Sequence, residues 1–187
     1  MAMNSMPKRE YEWEFIESPP VIGRHSLNKH EVLKSYLHRY LNKLYSKARE
    51  YLRFSIVDGF AGGGIYLRPD TGEIHYGSPV LVMETVCEAQ STLPTTHGKY
   101  VELRARYYFV EKNKRYFSLL NRVLAERGLN PQIDGRGGCF LGDFVNYCPR
   151  IIDAIKSEGK THKAIFILDQ FGYAAVPMLT IQNIFRE

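Results

Sequence analysis

Hydrophobic positions along the chain alternate between two patterns. Short unbroken apolar runs occupy residues 54–57, 107–110 and 164–168. Such runs, bounded by charged residues or glycines, mark strands buried on both faces of a parallel sheet. Between them, apolar residues recur at helical spacing. The strongest case is 28–51, where Val32, Leu33, Tyr36, Leu37, Tyr40, Leu41, Leu44, Tyr45 and Ala48 fall on one face. Lys34, Arg39, Lys43, Lys47 and Arg49 fall on the other. A solvated helix face is preferred here over a nucleic-acid contact.

Further elements follow from punctuation. Pro7, Pro19 and Pro20 predict a loosely structured lead-in over 1–24, with Trp13 and Phe15 able to dock it on the body. Residues 67–76 form an excursion with a turn at Pro69, Asp70, Thr71 and Gly72. A helix then opens with Ser78 as N-cap and Pro79 in its first turn, and 91–98 is predicted as loop. Tyr116, Leu119, Leu120, Val123 and Leu124 predict a helix that stops near Gly128. Cys139, Phe140 and Leu141 predict a short third strand, followed by a helix over 148–156. The last stretch, ending at Glu187, is amphipathic. Strands alternating with helices predict an α/β fold, a Rossmann-like parallel sheet with helices on both faces. The expected organisation is a lead-in and amphipathic helix over 1–53, then the Rossmann-like domain over 54–187.

Composition adds bounds. At 187 residues, 44% hydrophobic and 24% charged, the chain is that of one soluble globular unit. A net charge of +5 suits an acidic partner without requiring one. Cys87, Cys139 and Cys148 are far apart and form no CxxC pair, against a zinc site or a disulfide framework. A reducing, cytoplasmic setting is expected, with no metal and no membrane span.

The candidate chemistry gathers at strand ends. Asp58, Glu111 and Asp169 each follow an apolar run, and Asp143 follows the third strand. In a parallel sheet all four line one edge, where ligands of such folds sit. Glycines at 59, 62, 63 and 64 follow Asp58, giving a loop that can turn sharply and let a ligand touch backbone. An NAD site places its last glycine at a helix start and its ribose-binding acid roughly 20 residues on. Here the helix at Ser78 is separated from the loop, and Glu111 lies 47 residues beyond Gly64. S-adenosylmethionine has no pyrophosphate, and fits better.

Several segments together carry a family resemblance. They are Val57 to Gly62, Gly77-Ser78-Pro79, Phe109-Val110-Glu111, Gly142-Asp143-Phe144 and Asp169-Gln170-Phe171-Gly172. In this order they resemble class I S-adenosylmethionine-dependent methyltransferases. More closely they resemble the three-Cys-motif partner protein family (TcmP), whose N-terminal helix is similar to the one opening at His25-Ser-Leu-Asn-Lys29-His30. The resemblance covers residues 13–187. It implies a cofactor site of Asp58, Gly59, Ala61, Gly62 and Gly64, with Glu111 on the ribose and Asp143 and Phe144 at the adenine. It implies Asp169, Phe171 and Tyr173 beside the transferable methyl. The implied partners are a three-Cys-motif protein and, for the acceptor, nucleic acid or protein. The family's cysteines belong to that partner, so the three here inherit no role. Gln170 stands where the amino-methyltransferase motif has proline, and four strands stand where that fold has seven. A fragment or shortened member is therefore expected, prone to self-association through the apolar run 164–168. The competing expectation is a cofactor- or partner-binding module without turnover.

Overall fold

The structure, a computed structural model, describes residues 19–132, 136–159, 161–169 and 176–185. Trp13, Phe15, Gln170, Phe171 and Tyr173 lie outside them. Helix α1 (Arg24–Lys47) leads into β1 (Tyr51–Asp58), then a hairpin of β2 (Ile65–Leu67) and β3 (Ile74–Tyr76). Helix α2 (Ser78–His97), strand β4 (Glu102–Glu111) and α3 (Lys114–Glu126) follow. Strand β5 (Gly138–Leu141), α4 (Phe144–Lys156), β6 (Lys163–Ile167) and α5 (Met178–Phe185) complete the order.

The main sheet has the order β5-β4-β1-β6 and all its pairings are parallel. This is the expected Rossmann-like α/β fold with an N-terminal helix. Residues 54–58 are all buried, as a central parallel strand requires. Alternate side chains feed two cores. Phe54 and Ile56 join Leu37, Leu41 and Tyr45 of α1 and the apolar faces of α2 and α3. Val57, Tyr108 and Val110 meet Phe144, Cys148 and Ile151 of α4 on the other face. The lead helix is thus built into the first core. Tyr45 fixes it further: its hydroxyl donates to Lys99 O at 3.0 Å and accepts from Val101 N–H at 2.8 Å.

Several expectations change, among them the apolar face of α1, from which Val32 and Tyr36 turn out exposed because the core takes only the Leu37, Leu41 and Tyr45 side. Helix α1 begins and ends four residues before the predicted 28–51, because Ala48 is extended and Tyr51 already belongs to β1. The predicted excursion over 67–76 is a hairpin with strands of three residues, too short for a periodic signal. Its predicted turn is present: Arg68 N–H donates to Glu73 O at 2.8 Å, and Gly72 has φ 70°. Residues 91–97, predicted as loop, continue α2 through Pro94. There Leu93 is fully buried, and Ser91, Thr92 and Thr96 return their hydroxyls to carbonyls one turn back. Packing overrides the proline, which near a helix end removes a single bond. Finally, the N-cap of α2 is Gly77 rather than Ser78.

Strand β4 also starts five residues before the apolar run that announces it. Its first half, Glu102 to Arg106, alternates charged residues with Leu103 and the buried Ala105, and pairs with β1 in continuous register. Gln90 of α2 anchors that half, accepting from Leu103 N–H at 2.6 Å and donating to Val101 O at 3.2 Å. Helix α4 starts at Phe144, four residues before the predicted 148. The outer edge of β6 has no partner strand among the described residues.

Candidate functional site

Parallel register places the ends of β1, β4 and β6 together, with Asp58 opposite Phe109 on one side and Ile167 on the other. Backbone bonds then stitch the glycine loop onto that edge. Gly59 N–H donates to Ile167 O and Ala61 N–H to Val110 O, both at 3.0 Å. Gly77 N–H donates to Gly64 O at 2.9 Å, so the start of α2 returns to the loop after the hairpin. Gly62 and Gly64 sit at φ 64° and 75°, the left-handed region that side chains resist.

Asp58 is buried, and each of its oxygens has a donor. Its Oδ1 accepts from Phe60 N–H at 3.0 Å and its Oδ2 from the Ser78 hydroxyl at 2.6 Å. Burial pushes its carboxyl up to about 6, against these two hydrogen bonds, and the nearby Asp169 and Glu111 carboxylates push the same way. Asp58 therefore locks the loop to α2, and at 1% exposure it is closed off from solvent. Its Ser78 bond also puts an anion at the helix start, where a pyrophosphate would otherwise be favoured.

Glu111 is placed differently. Its Oε2 accepts from Gly62 N–H at 2.8 Å and its Oε1 from Asn113 N–H at 2.7 Å. A carboxylate has about four acceptor positions, so half of this one's capacity is unspent. The predicted acid and the predicted glycine loop are in direct contact. Asp143 caps α4, accepting from Val145 N–H at 3.0 Å, with Lys112 at 4.0 Å. Phe144 is only 2% exposed and packs with Phe60 beneath Gly59, so its ring is floor rather than lining. Ala61 is buried in the first core.

Asp169 is half-exposed and accepts from the Lys29 ammonium of α1. Around it stand groups that the strand ends did not announce. Tyr66 of β2 points its hydroxyl at Gly62, only 2.7 Å from where a Cβ there would lie. Its phenol is pushed up, first by burial and then by Asp58, Glu111, Tyr116 and Asp169. His30 lies 6.5 Å from the Tyr66 ring and shares a 2.9 Å hydrogen bond with His75 of β3. Burial pushes His30 down to about 4, with His75 adding to it and Asp169 opposing.

Three of the four predicted carboxylates thus converge on Tyr66, whereas Asp143 stands aside at the end of β5. Tyr66, His75, Lys29 and His30 were not singled out from the sequence as site residues. The hairpin's polar-aromatic alternation (Tyr66, His75, Tyr76) was the available signal for the first two. No group of three or more His, Cys, Asp or Glu side chains among the described residues could hold a metal ion. No protein-family model matches the chain, and no curated protein matches it. Among the described residues, no helix is long and apolar enough to cross a membrane.

Proposed function

We propose that this chain binds S-adenosylmethionine at the carboxyl edge of β1 and β4, as a methyltransferase-like protein. The observation that carries this reading is the hydrogen bond from Gly62 N–H to Glu111 Oε2 at 2.8 Å. It holds a glycine loop and a strand-end carboxylate side by side, and the carboxylate keeps lone pairs for a ligand. Glu111 would accept from the ribose hydroxyls, and the loop would let the amino-acid end of the cofactor approach the main chain. The cofactor's sulfonium supplies an electrophilic methyl group. Asp58 and Ser78 hold the loop's shape, and the Tyr66 ring closes the space over Gly62.

The same geometry speaks against a dinucleotide. Asp58 already places a carboxylate at the start of α2, and Pro79 removes one of the N–H groups a pyrophosphate would use. A second reading, a cofactor- or partner-binding module without turnover, is favoured by the Lys29 ammonium on Asp169. That contact covers a carboxylate that an acceptor amine would need. In this reading the fold serves a partner protein of the three-Cys-motif kind.

Titration calorimetry with S-adenosylmethionine tests the first step. Binding is expected, and Glu111→Ala should weaken it at least tenfold, since bonds to a charged acceptor contribute roughly 1.5–3 kcal/mol each. A folded Glu111→Ala chain that binds as the parent does would sink the assignment. Transfer of a labelled methyl group to bulk nucleic acid or protein then separates enzyme from module.

A further inference from the structure

Helix α1 carries a second pattern besides its buried face. His25, Lys29, Val32, Tyr36, Tyr40, Lys43 and Lys47 recur every three or four residues and form one stripe beside the buried side. Val32 is 69% and Tyr36 54% exposed. The Tyr36 and Tyr40 rings are stacked, 5.9 Å apart and 13° from parallel. Of the acids in α1 there is only Glu31, which lies on the other flank among Arg68 and His75. Lys43, Lys47 and the adjacent Arg39 have no acidic partner among the described residues. Solvated helix faces usually interleave both signs. This one does not, and it adds aromatic surface that no core uses.

The stripe also has a direction. Lys47 lies near the amino edge of the sheet, and Lys29 ends the stripe on Asp169. Helical rise makes that path about 27 Å long. Beside it, α1 and β6 bound a groove of about 660 Å³ lined by Asn28, Lys29, Leu33, Tyr36, Ile165 and Ile167.

We infer that this stripe is a track for single-stranded nucleic acid that delivers a nucleotide to the site at Asp169. Lys43 and Lys47, without acidic partners among the described residues, match the phosphates, and stacked half-exposed tyrosines match base faces, which a duplex keeps covered. The apolar groove wall at Leu33, Ile165 and Ile167 receives a base lifted off the strand. The inference deepens the proposed function by naming the acceptor class, and its meaning for catalysis rests on that reading. Binding itself does not.

Fluorescence anisotropy with a labelled 12-nucleotide single strand and the whole chain tests it, with calorimetric titration of S-adenosylmethionine on the same samples. A duplex, poly-glutamate and an extended Val/Thr peptide serve as competitors. The single strand is expected to bind at least tenfold tighter than the duplex. Three phosphate contacts give a slope of log affinity against log salt near −2. Lys43→Gln with Lys47→Gln should lower affinity at least tenfold and flatten that slope by about 1.4. Tyr36→Ala should lower affinity about fivefold or more at unchanged slope, while Tyr36→Phe restores it. Absence of binding, equal competition by poly-glutamate, or parental affinity in Tyr36→Ala would overturn the track. Preference for the peptide would overturn it too, in favour of strand addition at β6. Cofactor binding without strand binding defeats this inference alone. Strand binding without cofactor binding defeats the methyltransferase reading alone.

Discussion

Two charged clusters flank the sheet, each built around one buried carboxylate, and they are satisfied in opposite ways. At the carboxyl edge, Asp58 and Glu111 accept from backbone N–H groups and a hydroxyl, with no cation in direct contact among the described residues. On the α4 side, Glu158 is 4% exposed and takes two guanidiniums, Arg106 of β4 and Arg136 before β5. There Ser55 of β1 bonds His162 Nε2 at 2.8 Å, and the second nitrogen of that ring has no partner among the described residues. The first cluster is neutralised weakly and keeps acceptor capacity. The second pairs its one carboxylate with two guanidiniums, as a brace between β4, β5 and the turn after α4. Chemistry is read from the first and stability from the second.

Removing the brace should give the largest effect. Glu158→Ala leaves Arg106 without its counter-ion, and Arg106 is only 16% exposed. Breaking such a pair costs about 3–5 kcal/mol. Urea unfolding should show this loss while any residual folded protein keeps the parental affinity for S-adenosylmethionine. A loss under 1 kcal/mol would mean that the brace is no brace.

Acid–base behaviour sharpens the contrast from the other cluster. The Asp58 carboxyl is raised to about 6, so its contribution favours the fold below the ordinary carboxylate range and is lost as pH climbs through about 6. His30 is lowered to about 4, so its contribution is complete above 6.5 and is lost as pH falls toward 4. The two oppose each other over the same window. Asp58→Asn should make stability rise more steeply with pH between 4 and 6, and His30→Gln should make it rise less steeply. Each difference should reach the order of 2 kcal/mol. Urea titrations at three pH values check the signs, and parallel changes in both variants would refute the assignment.

A smaller effect on the fold, with a large one on binding, is expected for Gly62→Val. The φ of 64° is costly for a β-branched residue, about 1–2 kcal/mol, and the new side chain must displace the Tyr66 hydroxyl. Cofactor binding should vanish while circular dichroism retains the folded signal. Normal binding would reduce the loop to a turn. Least affected should be Lys29→Ala. Its pair with Asp169 is about 40% exposed on both sides, so unfolding should change by less than 1 kcal/mol. A larger change would give Lys29 a share in the brace-like class of contacts.

The sheet was legible because its buried strands are apolar on both faces, and runs as short as 54–57 or 164–168 suit a covered parallel strand better than a surface element. The carboxylates at their ends were legible for the same reason, since a parallel sheet collects strand ends on one edge. What stayed hidden was set by contacts distant in sequence. The charge-rich start of β4 extends the strand because Gln90 and β1 hold it in register. Pro94 stays helical because Leu93 is buried. Lys29 and His30 reach the site only because α1 packs into the first core, a placement that amphipathic spacing leaves open. Ser78, expected to cap α2, instead holds Asp58, a preference that only the tertiary position of β1 decides.

The bond between Gly64 O and Gly77 N–H makes the segment between them a splice. The chain departs at one glycine and re-enters at another whose Cβ position lies 3.2 Å from the Cα it left. Everything between, residues 65–76, is carried outside the path from β1 to α2, yet it supplies the Tyr66 and His75 that roof the site. Lengthening, shortening or exchanging that segment would redraw the roof without changing the register of the sheet below it. Specificity in this architecture can therefore drift on a cassette, while the loop and Glu111 stay where the sheet has put them.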